Sequence, residues 1–208
     1  MKTMHRALLR YFLPLVITLG VSGCYLPVRF DAEVEISRQG YYEFFFDGYI
    51  ARVELFDGLN KGEISREEEK EQMELLKTDF ERDSSTKSFK YIKRGHFHVN
   101  WQKKGDLVKV KTVTFYRRNE NMVSISYNST TGRVQVAGRS LSRKQRRTLH
   151  DMGLGMTGEL RVITDTNVIA HNATSVKQLP KRGARYKMYT WEIKNIFDKT
   201  PSITMALR

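Results

Sequence analysis

The chain has 208 residues, 40% of them hydrophobic and 11% aromatic, enough to bury a core and unlike a disordered or fibrous composition. A single cysteine excludes a disulfide-stapled scaffold. The 36 Lys+Arg against 23 Asp+Glu, net +13, point to anionic partners whose class depends on where the chain resides.

The N-terminus answers that question first. Lys2, Arg6 and Arg10 form a positive region without an acid, and Tyr11 to Leu19 is a mainly apolar run of signal-peptide length, too short for a comfortable permanent bilayer span. Val21-Ser22-Gly23-Cys24 then resembles the bacterial lipobox, an aliphatic residue and two small ones before a cysteine. The resemblance implies that Cys24 receives a diacylglyceryl group, that the chain is cut before it, and that its new amine is acylated. Residues 1–23 are thus expected to be a lipoprotein signal peptide. Small side chains at Ser22 and Gly23 let the chain lie extended in a peptidase cleft, and only a thiolate at 24 can take the lipid. No Ala-x-Ala site for the ordinary signal peptidase lies nearby. Tyr25, not aspartate, follows the cysteine. By the sorting rule for such lipoproteins this favours the outer membrane facing the periplasm, and otherwise the outer face of the cytoplasmic membrane.

Export changes what the charge means. Without Lys2, Arg6 and Arg10 the mature chain of 185 residues carries about +10. A cytosolic protein of this charge would suggest nucleic acid. An exported one meets anionic lipids or envelope glycopolymers, each cation near such a surface contributing on the order of 1 kcal/mol. No nucleic acid is expected, and an envelope protein partner is the other candidate. No later apolar stretch is long enough for a bilayer-crossing helix.

Residues 24–29 are expected to be a lipid-anchored tether, reaching at most about 18 Å, before one β-rich extracytoplasmic domain over 30–208. Phe30 to Ser37 alternates apolar and polar residues, the pattern of a half-buried strand. Tyr41 to Leu55 reads as further strand, with a bend or bulge at Asp47-Gly48 and stops at Asp57-Gly58 and Lys61-Gly62. Tyr41-Tyr42-Glu43-Phe44-Phe45-Phe46 reads as a central strand buried on both faces, or as an aromatic rim for lipid. A helical insertion over 63–83 follows. Ser65 and Glu68 make a capping box, and Met73, Leu76 and Phe80 a single apolar stripe.

Strand signals then recur at regular spacing. They cover Phe89 to Trp101, Leu107 to Tyr116, Met122 to Tyr127 and Arg133 to Ala137. The expected turns are Lys103 to Asp106, Arg118 to Asn121 and Ser129 to Gly132. Ser142 and Gln145 cap a second helix to about His150, whose Arg143, Lys144, Arg146 and Arg147 form the most basic patch and a candidate site for anionic groups. Gly153, Gly155 and Gly158 make a flexible link. Strands over 159–164, 168–173, 189–196 and 202–207 follow, with a basic loop over 175–187. The expected fold class is α+β, predominantly antiparallel sheet, with two helices at about 64–82 and 142–150.

Four segments carry a second resemblance: Leu160-Arg161-Val162-Ile163-Thr164, Val168-Ile169-Ala170-His171-Asn172-Ala173, Tyr189-Thr190-Trp191-Glu192-Ile193 and Ile203-Thr204-Met205-Ala206-Leu207. With the lipobox and the helical insertion, this third of the chain resembles the LppM-like family of bacterial envelope lipoproteins. The resemblance implies an envelope protein that contacts lipids and implies no activity.

A search for chemistry finds little. His96 and His98 share one face of a strand but have no companion at metal-ligand spacing. The serines fit no nucleophile elbow, lipidation would consume the thiol, and Gly153-Leu154-Gly155-Met156-Thr157-Gly158 lies between helix and strand in the wrong order for a phosphate loop. No catalytic residue, metal or cofactor is expected. The leading expectation is a non-catalytic envelope lipoprotein that binds or organises lipid or another envelope component. The alternative is an accessory subunit docking on an envelope complex, with a hydrolytic or metal-dependent enzyme third.

Overall fold

The computed structural model describes residues 25–116 and 121–207. The signal peptide, the lipobox, Cys24 and most of the turn expected at 118–121 lie outside the described residues.

β1 (Tyr25–Ile36) and β2 (Tyr41–Arg52) form a long hairpin. Along β1, Ala32, Val34 and Ile36 point inward with no exposed surface while Asp31, Glu33 and Glu35 face out, as the alternation predicts. β1 starts five residues earlier than expected. Tyr25 and Leu26 are buried strand residues, so 25–29 is not a tether. A bulge between Pro27 and Arg29 breaks the period there and hides the strand signal. In β2, Tyr42, Phe44 and Phe46 are buried but Tyr41 is 62% exposed and Glu43 is exposed. The aromatic stretch is therefore buried on one face, not two.

α1 (Val53–Lys61) replaces the strand end read at Leu55. Of the two expected stops, Gly58 does not end it and Lys61-Gly62 does. The Gly58 Cα packs on Ile64, and Gly62 is in the left-handed region at φ 70°. α2 (Arg66–Glu81) has the expected Ser65/Glu68 capping box and buries Phe80. β3 (Thr86–Lys93) and β4 (His96–Asp106) split the strand expected over 89–101 at a two-residue turn, Arg94 at φ 46° and Gly95 at φ 69°. Positive φ at both positions matches the right-handed twist of a hairpin. β4 then runs straight through Lys103 to Asp106, expected as a turn, because the long β2 pairs with it as far as Tyr41↔Asp106. The reversal falls to α3 (Leu107–Val110), capped by the Asp106 carboxylate on the Val108 amide at 2.8 Å.

β5 (Thr112–Phe115), β6 (Val123–Asn128) and β7 (Arg133–Gly138) form the predicted meander, but the strand expected from Leu107 starts only at Thr112, because 107–110 is α3. α4 (Arg143–Asp151) carries the predicted Ser142/Gln145 capping box. Next come β8 (Thr157–Thr164), β9 (Asn167–His171), β10 (Ser175–Gln178), β11 (Lys187–Ile193) and β12 (Ser202–Ala206). The basic stretch 175–187 is thus partly strand, and its Arg182 pairs with Glu35 at 2.7 Å.

Two sheets result, ordered β10-β11-β8-β1-β2-β4-β3 and β5-β6-β7-β12-β9. Among the described residues all pairs are antiparallel except β1 with β8, which the chain joins only after laying down β5, β6 and β7 of the second sheet. The sheets face each other across one core. Phe115 of the second sheet stacks on Phe46 at 4.1 Å and meets Phe44 and Trp101 of the first. The class is α+β with sheet predominant, as expected, with four α-helices among the described residues where two were read. None of the described helices is long and apolar enough to cross a membrane.

Candidate functional site

A smaller apolar cluster of Leu26, Ala51, Val53, Leu149, Leu154 and Ile196 seals the end of the sandwich where β1 begins. Between it and the main core lies a cleft. Its walls include Leu26, Phe30, Val123, Leu149, Met156 and Leu160, and Gln145 and Arg146 of α4 lie along it. The free room between these walls is about 60 Å³. A void needs roughly 10–15 Å³ of such room per water, so this is a narrow apolar slot.

Chain entry is fixed at the same end. The Tyr25 ring meets Phe80 and Tyr116 edge-on at 5.7 and 5.9 Å, and the Arg52 guanidinium lies 5.0 Å above it. Tyr25, Leu26 and Pro27 all line the cleft.

The four basic candidates of α4 separate into two groups. Arg143, Lys144 and Arg147 are exposed, and no ion pair reaches them among the described residues. Arg146 is half-buried and committed to the protein. Its Nε donates to the Leu141 carbonyl at 3.0 Å, Nη1 to those of Ile196 and Asp198 at 2.7 and 2.6 Å, and Nη2 to Thr200 Oγ1 at 2.9 Å. It therefore leaves the set of candidates for an external anion and becomes the strut that holds loop 194–200 against α4.

His96 and His98 lie on the outer face of β4, away from the cleft. His98 Nε2 is 2.9 Å from Asp47 Oδ1, and Asn100 donates to the other Asp47 oxygen at 2.8 Å. His96 Nδ1 lies 3.1 Å from the Arg94 carbonyl, and His171 packs on Tyr189 elsewhere. Among the described residues no three His, Cys, Asp or Glu side chains converge as metal ligands. The same outer face carries Arg161 in contact with Asp31 at 2.6 Å, Glu33 at 2.9 Å and Glu159 at 2.5 Å. Burial opposes its charge, but these three partners outweigh that and raise its pKa. The group is a charge ladder across the two paired strands β1 and β8. The glycine link 153–158 is partly ordered by packing: Leu154 is buried, and Gly158 lets β8 approach the Phe30 carbonyl.

Sequence reasoning did not find the cleft. Its lining residues come from β1, β2, β6, α4, β8 and β11, and each looks like ordinary core in its own element. The local hint is Leu26-Pro27-Val28, apolar residues shortly after the lipobox-like Val21-Ser22-Gly23-Cys24.

No protein-family model matches the chain, and no curated protein matches it. Among solved structures, the NMR structure of the folded domain of the Mycobacterium tuberculosis protein LppM is similar at 13% identity and a TM-score of 0.46, covering 91% of this chain and 94% of that one. The likeness is distant and assigns no residue a role.

Proposed function

We propose that the chain is a non-catalytic, lipid-anchored protein of the cell envelope that holds an acyl segment in the cleft beside α4. The observation that carries this reading is the shared wall: the first residues after Cys24 line an apolar slot. Each methylene moved from water into such a slot contributes roughly 0.8 kcal/mol. The free room of about 60 Å³ suits a short chain segment, not a whole lipid. Deeper entry requires Met156 to turn aside, which its unbranched side chain permits. The groups best suited to proton transfer, His98 and Asp47, sit on a flat outer face with no cleft beside them, which supports a binding role over a catalytic one. Tyr25 at the position after the cysteine supports an outer-membrane address facing the periplasm.

The filled core between the sheets favours a second reading, an accessory subunit that docks on an envelope protein and holds no ligand. One experiment separates the two. Full-length protein and Cys24→Ser are produced in a bacterial host and their intact masses taken from membrane and soluble fractions, followed by native mass spectrometry for retained lipid. The expected result is a cleaved, lipidated wild type, loss of that mass in Cys24→Ser, and weaker lipid retention in Met156→Trp, which fills the slot. A lipidated protein whose lipid retention is unchanged by Met156→Trp supports the accessory reading. An unlipidated wild type overturns both.

A further inference from the structure

We infer that the exposed basic face of α4, together with Phe197, docks the domain on the surface of an anionic lipid bilayer. The inference rests on lipidation at Cys24 and adds a defined contact face to it. Three independent observations converge on that face. The first is charge. Arg143, Lys144 and Arg147 crowd the first turns of α4, whose first turn holds no acid. The partial positive charge of a helix N-terminus penalises cations there, and α2 of the same protein shows the opposite arrangement, with Glu67, Glu68 and Glu69. The Ser142/Gln145 box takes the Ser142 and Gln145 amides of this turn. No ion pair reaches the three cations among the described residues, and the nearby acids are engaged elsewhere. Asp198 accepts the Lys194 and Asn195 amides, and Asp151 lies at the far end of the helix beside His150.

The second observation is shape. Arg143, Arg147 and His150 fall on one stripe at i, i+4 and i+7, and the Phe197 ring lies 5.4 Å from that of His150 while staying 50% exposed. Lys199 is exposed in the same loop, which Arg146 clamps to α4. An aromatic ring among cations suits the headgroup boundary of a bilayer, where the ring inserts and the cations meet phosphates. The third is position. Cys24 directly precedes Tyr25, and Leu26 packs with Leu149 and Ile196 of this same end. With no slack between Cys24 and a buried Tyr25, a lipid on Cys24 brings the bilayer to α4 and no other end of the sandwich. The cleft that α4 borders then lies next to the lipid it is proposed to hold.

The test uses full-length protein purified from bacterial membranes. Its intact mass is recorded first, so failure of the lipidation reading is seen before docking is measured. The protein is reconstituted in vesicles of phosphatidylcholine, alone or mixed with phosphatidylglycerol, and backbone hydrogen exchange is followed by mass spectrometry. Exchange in 143–150 and 194–199 is expected to slow by about fivefold or more in the anionic vesicles, the ratio one cation near an anionic surface supplies. Arg143→Glu/Lys144→Glu/Arg147→Glu is expected to abolish the difference without lowering the melting temperature, since no ion pair holds any of the three among the described residues. Equal exchange in both vesicle types, slowing confined to another face, or slowing that survives the triple variant overturns the inference.

Discussion

Arg146 and Arg147 stand side by side in α4, yet only one is tied to the protein. Four hydrogen bonds from Arg146 satisfy the carbonyls of Leu141, Ile196 and Asp198 and the hydroxyl of Thr200. Hydrogen bonds to charged groups contribute about 1.5–3 kcal/mol each in favourable sites, and losing the donor leaves its acceptors unpaired. Arg146→Ala is expected to destabilise the fold by about 2–4 kcal/mol in urea denaturation, and Arg147→Ala by less than about 0.5 kcal/mol. The division was partly legible. Arg146 lies three residues before buried Leu149 and so faces inward at helical spacing, whereas Arg143 and Arg147 share the opposite stripe. The acceptors were not legible, because they lie 50 and 52 residues away in a loop with no signature.

At the scale of elements, glycines and capping residues show what local pattern can specify. Both capping boxes, Ser65/Glu68 and Ser142/Gln145, act within four residues and are readable for that reason. The glycines are harder, because their uses depend on neighbours. Gly48 reads as a bend in β2 but keeps it straight beside the β1 bulge. A Cβ there would stand 2.5 Å from the Arg29 carbonyl and 2.6 Å from Phe30 Cα. Those are backbone atoms that cannot step aside, so Gly48→Ala is expected to cost about 1–3 kcal/mol in thermal melts, as overpacking does. Gly155 provides the contrast, with nothing within 4 Å of the place a Cβ would occupy. Gly155→Ala is expected to be neutral or slightly stabilising in the same melts, through a less free unfolded chain. Gly105 likewise ends no strand but lies against Tyr42, whose ring would be 3.1 Å from an added Cβ.

At the scale of the whole molecule, buried phenols couple stability to pH. Burial raises the pKa of Tyr42, Tyr186 and Tyr189, and Tyr91 is pushed up to about 12 by burial and by its hydrogen bond to Glu69 of α2. A phenol whose folded pKa exceeds its unfolded value of 10.0 binds its proton more tightly when folded. Its contribution is complete below pH 10 and is lost as pH rises toward 12. Urea denaturation across that range is expected to show falling stability, with a shallower fall in Tyr91→Phe. An unchanged slope in that variant would mean that the contact between α2 and β3 does not hold the Tyr91 proton.

The sequence by itself determined the elements with a local cause: strands whose alternation places one face inside, and helices announced by capping boxes. It also determined the class, sheet-dominated α+β, because period and spacing are properties of neighbours along the chain. Tertiary structure alone decided the parallel pairing of β1 with β8, the strand at Tyr25 in place of a tether, the run of β4 through Lys103 to Asp106, and the withdrawal of Arg146 from the basic face. It also decided the cleft, whose walls come from elements far apart along the chain. The physical reason is common to all of these. Burial, register and the partner of a guanidinium are set by what lies across the sheet or the core, and a single chain read in order carries no record of that neighbour until it folds.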